Sequence, residues 1–141
     1  MSLEDIYFEL SKKNYKLTKQ RKVLLEAFFR NLDSFLSVEE IQEETNKSGA
    51  SLDLSTIYRN INLLEKCNLV CKIQNYNSHL YKIRTTKKHH HHLICKKCGK
   101  SVAFDFCPTD TFCHIAEEND FIFTDDKIEL YGYCNKCKNT L

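Results

Sequence analysis

The stretch HHHHLICKKCGK, residues 89–100, decides the fold of the C-terminal part of this chain, because it joins four consecutive histidines to a CxxC pair. A second CxxC pair closes the segment ELYGYCNKC at residues 129–137. Two such pairs can surround one Zn²⁺ ion with four thiolates in a closed tetrahedral site. We therefore predict a structural zinc site formed by Cys95, Cys98, Cys134 and Cys137.

Both motifs are also compatible with roles that involve no metal. The cysteines could instead form two disulfides or a redox-active pair, but the doubled spacing is typical of zinc ribbons. The histidine run could be an expression tag, but it is internal and leads directly into Leu93, Ile94 and Cys95. Both patterns therefore favour metal binding.

The composition predicts a globular chain in a reducing compartment. Its 141 residues are 42% hydrophobic and include one proline and three glycines, which leaves little room for long disordered linkers. No apolar stretch approaches the roughly 20 residues of a membrane helix, and the N-terminus lacks a signal peptide pattern. We expect a cytoplasmic protein with no membrane partner, in which the eight cysteines serve as thiolates rather than disulfides.

The N-terminal part has the pattern of a winged helix-turn-helix domain. Apolar residues at helical spacing predict several helices, and two short alternating runs predict a hairpin. A small helical domain that carries an unrelated hairpin is the alternative. The predicted helices cover residues 3–10, 18–30, 37–46 and 53–68, and the predicted strands cover residues 69–74 and 79–84.

The fourth predicted helix has a polar face suited to DNA. That face carries hydroxyl, phenol, guanidinium and amide groups, which hydrogen-bond phosphates and base edges. Residues 11–25 add six lysines and arginines with no acidic residue, although a basic run is often only a solvated surface. The face is formed by Ser55, Thr56, Tyr58, Arg59 and Asn62.

The C-terminal part predicts a small α/β unit that needs extra stabilisation. Strands are expected over residues 93–95, 101–106 and 121–133, with a helix over residues 108–119. A unit of about 55 residues has a marginal core, so a structural metal and self-association would add stability. The expected fold class is α+β, and the expected assembly is a homodimer.

Three motifs in order, STIYR at 55–59, HHHHLICKKCGK at 89–100 and ELYGYCNKC at 129–137, resemble the ferric uptake regulator family. The resemblance spans essentially the whole chain. It implies a bacterial, homodimeric, metal-dependent repressor and not an enzyme. It also implies a winged-helix DNA-binding domain at 1–84, a hinge at 85–88, and a dimerisation and metal-binding domain at 89–141.

The resemblance assigns roles to individual residues. Tyr58 and Arg59 match the recognition-helix pair that meets DNA, and Lys16 and Arg21 match basic positions near the minor groove and backbone. His90 and His92 match the regulatory site. A further metal site is implied at His89 and His91, for which Asp110 and Asp126 are weaker candidates. Cys107, Cys113 and His114 lie close in sequence and could form an atypical version of this site, although burial is the preferred role of the two cysteines.

Departures from the family pattern favour zinc as the sensed metal. Phe35 stands where iron-sensing members have a histidine ligand, and Arg84 and Ala103 stand where the family often has carboxylates. Cys71 matches the hinge-region ligand of zinc-sensing members, although burial as a small apolar residue is the alternative. Thiolate and imidazole donors favour Zn²⁺ over Fe²⁺. His79 or Asp105 could complete this regulatory site.

These observations predict a zinc-responsive repressor of metal-uptake genes. Two recognition helices related by a twofold axis should bind a near-palindromic, A/T-rich operator in double-stranded DNA. Iron-sensing and peroxide-sensing members of the family are the alternatives. A zinc enzyme and a metal-storage protein without DNA binding are alternatives from other functional classes. The sequence has no HExxH motif, which argues against the zinc enzyme.

Overall fold

The computed structural model describes residues 1–75, 78–86 and 89–140, which divide into two compact units at residues 1–87 and 88–141. Part of the expected hairpin turn, Tyr76 and Asn77, lies outside the described residues. The same is true of Lys87 and Lys88 in the expected hinge, and of Leu141. Each unit is described below by itself.

The first unit contains four helices and a hairpin. A side-chain oxygen at Ser2, Thr18, Ser37 or Asp53 caps the start of each helix by accepting a backbone N–H. The two strands pair antiparallel from Val70 opposite Ile83 to Asn75 opposite Ser78. The elements are α1 (Leu3–Lys12), α2 (Lys19–Phe29), α3 (Val38–Lys47), α4 (Leu54–Lys66), β1 (Val70–Asn75) and β2 (Ser78–Ile83).

The helices and the hairpin enclose one apolar core. Ile6 and Leu10 of α1, Leu24 and Phe28 of α2, and residues of the hairpin belong to one buried cluster. In α4 the buried apolar side chains are Ile57, Ile61 and Leu64, at spacings of three and four residues. This packing leaves the opposite face of α4 in solvent. Helices followed by a two-stranded wing confirm the predicted architecture of the N-terminal part.

The second unit is a three-stranded sheet with one helix. The strand order is β4-β3-β5, in which β3 pairs antiparallel with β4 and parallel with β5. The α+β fold class is therefore confirmed. The elements are β3 (His91–Cys95), β4 (Ser101–Phe104), α5 (Thr109–Glu118), β5 (Glu129–Gly132) and a 3₁₀ turn at Lys138–Thr140.

Two predicted strands are shorter than expected. The strand predicted over residues 121–133 is wrong for its first eight residues, because β5 begins at Glu129. The strand predicted to reach Phe106 ends at Phe104. Both ends coincide with the start of β3, whose His91 pairs with Phe104 and whose His92 pairs with Glu129. Beyond that point the two residues directly before β3 are not in strand conformation, so neither neighbour has a strand to pair with.

The second unit has a small core. Its buried apolar residues, among those described, are Ile94, Cys95 and Cys137, whereas the first unit buries most of the apolar positions of α1 to α4. Two of these three residues belong to the predicted zinc site. Among the described residues, no helix has both the length and the apolar character needed to cross a membrane.

Candidate metal centres and nucleic-acid surface

The four CxxC cysteines converge as the sequence predicts. Their sulfur atoms all lie within 4.8 Å of one another. The Cys98 and Cys134 sulfurs are 3.8 Å apart. A tetrahedral zinc ion with Zn–S bonds of about 2.3 Å holds its sulfurs about 3.8 Å apart. The observed spacing therefore suits a four-thiolate zinc site.

Local backbone geometry builds this site. Gly99 has φ of +78°, a left-handed conformation that favours glycine, and its N–H donates to the Cys95 carbonyl at 3.0 Å. The Cys137 N–H likewise donates to the Cys134 carbonyl at 3.0 Å. The Lys96 N–H donates to the Gly132 carbonyl at 2.8 Å, which joins the first turn to the end of β5. The two CxxC turns are thereby held against each other.

The same turns prepare one thiol for deprotonation. Burial raises the pKa of Cys95, but N–H donors from Cys134, Cys98 and Lys97 outweigh burial and lower it to about 6. Burial and shared protons with neighbouring thiols raise the pKa of Cys137 to about 12. The four thiols titrate as one coupled group, in which the first proton leaves easily and the last is held firmly. A bound Zn²⁺ ion would supply the charge that keeps all four ionised.

The histidine run divides into two pairs. The rings of His89 and His91 are 4.6 Å apart between centroids, and those of His90 and His92 are 4.7 Å apart. Because alternate residues of a strand lie on opposite faces of the sheet, each pair belongs to a different face. One strand can therefore supply imidazoles to two separate sites.

A second cluster of ligand atoms forms around His89 and His91. It also contains Cys107 and Asp126, and the four ligand atoms lie within 4.8 Å of one another. The Asp126 Oδ2 atom is 3.4 Å from His89 Nε2, 3.0 Å from His91 Nε2 and 3.2 Å from Cys107 Sγ. The two Nε2 atoms are 3.2 Å apart. This cluster lies wholly within the second unit.

Hydrogen bonds define the protonation of this cluster without a metal ion. The Ile128 backbone N–H donates to His91 Nδ1 at 3.2 Å, so Nε2 of the neutral ring carries the proton and donates to Asp126. A metal ion at Nε2 would move that proton to Nδ1 and leave the Ile128 N–H without its acceptor. That loss costs about 1–3 kcal/mol, which is small beside the roughly 10–16 kcal/mol of structural zinc binding.

The acid groups of the cluster influence each other. A hydrogen bond from Cys107, with the nearby imidazoles of His89 and His91, holds the pKa of Asp126 below its usual value. The Thr109 hydroxyl lowers the pKa of Cys107, but desolvation and the Asp126 carboxylate outweigh it and raise the pKa. Without a cation, Cys107 is therefore a protonated thiol that donates to Asp126.

The structure brings together only part of the further site that the sequence suggested. His89, His91 and Asp126 converge, whereas Asp110 is exposed in the first turn of α5 and belongs to none of the described groups of ligand atoms. Cys107, two residues before α5, lies in the cluster instead. Sequence spacing suggested Cys107 only together with Cys113 and His114, and neither of these belongs to the cluster. Its actual partners could not be predicted from spacing, because residues 107 and 126 meet only through the folded loops on either side of α5.

Of the two suggested partners of Cys71, His79 lies on the wrong face of the hairpin. Cys71 pairs with Lys82, and Gln74 pairs with His79. Because paired residues share a face and successive residues alternate, His79 lies on the opposite face from Cys71. The other suggested partner, Asp105, is exposed and directly follows β4. It would lie opposite His90 if the β3–β4 register continued for one more residue.

The DNA-facing residues predicted on α4 divide between surface and core. Ser55, Tyr58 and Arg59 are exposed. Thr56, in contrast, is only 8% exposed, and its N–H and side chain hydrogen-bond the Asp53 cap. Thr56 therefore serves helix packing, which corrects its predicted place on the open face.

Arg21 is engaged inside the first unit. Its Nε donates to Asn60 Oδ1 at 3.1 Å, and another guanidinium N–H donates to the Lys16 carbonyl. Asn60 is buried and donates in turn to the Thr56 carbonyl at 2.9 Å. Arg21 thus connects the exposed Lys16 segment to α4. No sequence pattern indicates this role of Asn60, because an asparagine on a helix is usually only a surface residue.

Comparisons with known proteins identify the family. The ferric uptake regulator family model matches residues 12–131. The ferric uptake regulation protein of Campylobacter jejuni is 34% identical over 127 residues, which cover 88% of this chain and 80% of that protein. The Helicobacter pylori ferric uptake regulator, described as having three functional metal-binding sites, has a TM-score of 0.69 and 26% identity. That match covers 96% of this chain and 91% of the solved one.

A zinc uptake regulator solved with zinc and DNA has a TM-score of 0.74, 22% identity, and coverage of 98% of this chain and 93% of that one. At that identity the similarity shows a shared fold alone. Members of the matched family are dimeric DNA-binding transcription regulators, not enzymes. The chain therefore belongs to the ferric uptake regulator family.

Proposed function

We infer that this chain is a homodimeric repressor that senses zinc in the cytoplasm and binds the operators of metal-uptake genes. The observation that carries this proposal is the donor chemistry: the proposed sensing ligands are the Cys71 thiolate and the His90 and His92 imidazoles, and the candidate ligand groups within the second unit combine thiolates and imidazoles with a single carboxylate. Such donors suit Zn²⁺ better than Fe²⁺ or Mn²⁺, which prefer more oxygen ligands.

In this proposal the four-cysteine site is structural. Its four thiolates leave no position for exchange with solvent, as expected of a closed zinc site. Zinc there stabilises the second unit, whose other buried apolar residue is Ile94 among those described. Sensing is assigned to different ligands.

The proposed regulatory site is formed by Cys71 with His90 and His92. Cys71 lies on β1 of the first unit, while the two imidazoles pair with each other near the start of β3 in the second. If the β3–β4 register continued for one more residue, Asp105 would lie opposite His90. Asp105 is therefore the proposed fourth ligand, once its side chain rotates toward the imidazoles. An ion with ligands in both units would stabilise one arrangement of the two, and a DNA-competent arrangement would then gain population by linkage.

DNA binding is assigned to the exposed face of α4. Tyr58 and Arg59 would contact base edges, Ser55 would contact phosphate, and Lys16 would lie near the minor groove or the backbone. Arg21 acts mainly by holding α4, through Asn60. Two copies of α4 related by a twofold axis would bind a near-palindromic, A/T-rich duplex.

Self-association is assigned to an exposed apolar row across the sheet. Leu93 pairs with Val102 on one side and Leu130 on the other, so the three side chains share one face. They are 46%, 55% and 49% exposed in this single chain. A contiguous apolar surface of this kind marks an interaction site, and a second copy of the chain would cover it.

The test is selection of bound duplexes from a random DNA library with metal-free, Zn²⁺-loaded and Fe²⁺-loaded protein under anaerobic conditions. The proposal expects enrichment of a near-palindrome with Zn²⁺ at lower free metal than with Fe²⁺. Enrichment with Fe²⁺ alone would instead identify an iron sensor. Loss of enrichment after peroxide treatment of the Fe²⁺ form would identify a peroxide sensor.

A further inference from the structure

The segment just before α5 contributes a soft donor to the second ligand cluster. Cys107 Sγ lies 3.2 Å from Asp126 Oδ2, and both atoms group with the Nε2 atoms of His89 and His91. Tetrahedral zinc with bonds of about 2.0–2.1 Å to nitrogen and oxygen separates such ligand atoms by about 3.3 Å, and a sulfur ligand lies slightly further away. The observed separations of 3.0–3.4 Å thus need only small adjustments.

We propose that Cys107 is the selectivity-determining ligand of a zinc centre completed by His89, His91 and Asp126, and that this ion fixes the start of α5. The inference deepens the proposed function: the family resemblance already implies a metal site at His89 and His91, and what the structure adds is the Cys107 thiolate as a ligand and the preference for zinc that this ligand brings. It does not depend on Cys71 or on DNA binding.

The donor set determines which metal ion is accepted. Two imidazoles, one thiolate and one carboxylate suit zinc, whereas hard ions such as Mn²⁺ favour sites built from oxygen. Asp110 in place of Cys107 would have made an oxygen-richer site. The thiolate therefore shifts the preference of this centre toward zinc.

The ion would also connect three segments of the chain. His91 begins β3 and His89 lies two residues before it, while Cys107 follows β4 and Asp126 precedes β5. Helix α5 begins at Thr109, whose hydroxyl donates to Cys107 Sγ at 3.3 Å. No side chain of α5 is buried, so packing alone holds this helix weakly. A metal bond at Cys107 would anchor its first turn.

The alternative is a metal-free polar cluster. The Cys107 thiol and the His91 Nε2–H both have Asp126 as an acceptor, so hydrogen bonds alone can account for the grouping. The two possibilities differ in whether Cys107 becomes a thiolate bound to metal.

Cobalt substitution distinguishes them, because thiolate ligation to Co²⁺ produces a sulfur-to-metal charge-transfer band. Full-length protein that retains its structural zinc is titrated with Co²⁺ in a Cys71→Ser background, which removes the other candidate thiolate. The band should appear in this background, persist with Cys113→Ser added, and disappear with Cys107→Ser added. Cys113 is the matched control because it lies on α5 and belongs to none of the described ligand groups. An equal band in the Cys107→Ser variant would overturn the proposal.

Cys107→Asp keeps a ligand but replaces sulfur with oxygen. Its affinity for zinc should fall by roughly 10- to 100-fold or more, the range for disturbed metal surroundings, and its preference for Zn²⁺ over Mn²⁺ should narrow. Hydrogen exchange should show zinc-dependent protection of residues 107–119 in the wild type and in Cys113→Ser, but not in Cys107→Ser. Unchanged metal preference or protection in the Cys107 variants would contradict the assignment.

The two proposals fail separately. If zinc has no effect on DNA binding but the Cys107 signatures hold, the proposed function is wrong and this centre stands. If zinc controls DNA binding but Cys107→Ser retains the band, the metal preference and the protection, only this inference is wrong.

Discussion

Cys98→Ser should unfold the second unit while the first unit stays folded. The substitution removes one sulfur from the four-cysteine site and leaves the side chains of the first unit unchanged. Ile94 is the only buried apolar residue described in the second unit besides two of the zinc ligands, and burying one isoleucine contributes about 1.5–3 kcal/mol. Structural zinc contributes about 10–16 kcal/mol in small zinc domains. Because whole domains are stable by only about 5–15 kcal/mol, the second unit should not survive the loss of zinc.

The assay combines zinc content with hydrogen exchange resolved along the chain. Protection should be lost across residues 89–140 and retained in the helices of residues 3–66. Sedimentation should show a monomer, because the apolar row of the sheet is no longer presented. Cys113→Ser serves as the matched control and should behave like the wild type. A Cys98→Ser protein that keeps its structural zinc, its dimer and its melting temperature would refute the reasoning.

Four further changes test other parts of the structure. Arg59→Ala should weaken operator binding by about 1–3 kcal/mol and leave the fold and the zinc content unchanged. Lys127→Ala removes one positive charge from the second unit and should not weaken operator binding. If both variants lose the same binding free energy, Arg59 does not contact a base. Asn60→Ala should destabilise the first unit by about 1–3 kcal/mol, because it removes the acceptor of Arg21 Nε and the bond from Asn60 to the Thr56 carbonyl. Arg21→Lys should weaken DNA binding although it keeps the charge; wild-type binding by this variant would return Arg21 to a phosphate-contact role. Leu93→Glu should yield a folded monomer by sedimentation, and a persistent dimer would move the interface elsewhere. The zinc affinity of the four-cysteine site should weaken as the pH falls, and most steeply below about 6, where protons also occupy Cys95, whose pKa is lowered to about 6; a chelator titration that finds the same affinity at about pH 8 and about pH 5 would contradict this.

Local patterns in the sequence are sufficient to predict most elements and the four-cysteine site. Helical spacing predicts that α4 buries Leu54, Ile57, Ile61 and Leu64; the last three are buried, whereas Leu54, at the first residue of the helix, is 39% exposed. The doubled CxxC pairs specified a closed site without knowledge of the fold. The family resemblance divided the histidine run between two sites, and the ring pairs agree, because alternate residues of a strand lie on opposite faces. These features depend on residues close in sequence, for which periodicity is a direct physical signal.

The features that sequence patterns missed depend on long-range geometry. Cys107 meets Asp126 only because loops on both sides of α5 return to the start of β3. Thr56 looked like a surface hydroxyl, but it lies at the edge of the buried stripe of α4, where it bonds the Asp53 cap. His79 was plausible as a partner of Cys71 until the hairpin register placed it on the other face. None of these facts is encoded in spacing along the chain.

The zinc dependence of DNA binding, measured in metal-buffered solutions for the wild type, Cys71→Ser and His90→Ala, tests the regulatory proposal most directly. Anisotropy of a labelled duplex from the library selection gives the free zinc concentration needed for half-maximal binding. We predict that both substitutions raise this concentration by roughly 10- to 100-fold, the range for disturbed metal surroundings, while the structural zinc and the dimer remain. A Cys71→Ser protein with the wild-type zinc response, beside a His90→Ala protein that has lost it, would make Cys71 a packing residue and contradict the assignment of zinc as the sensed metal.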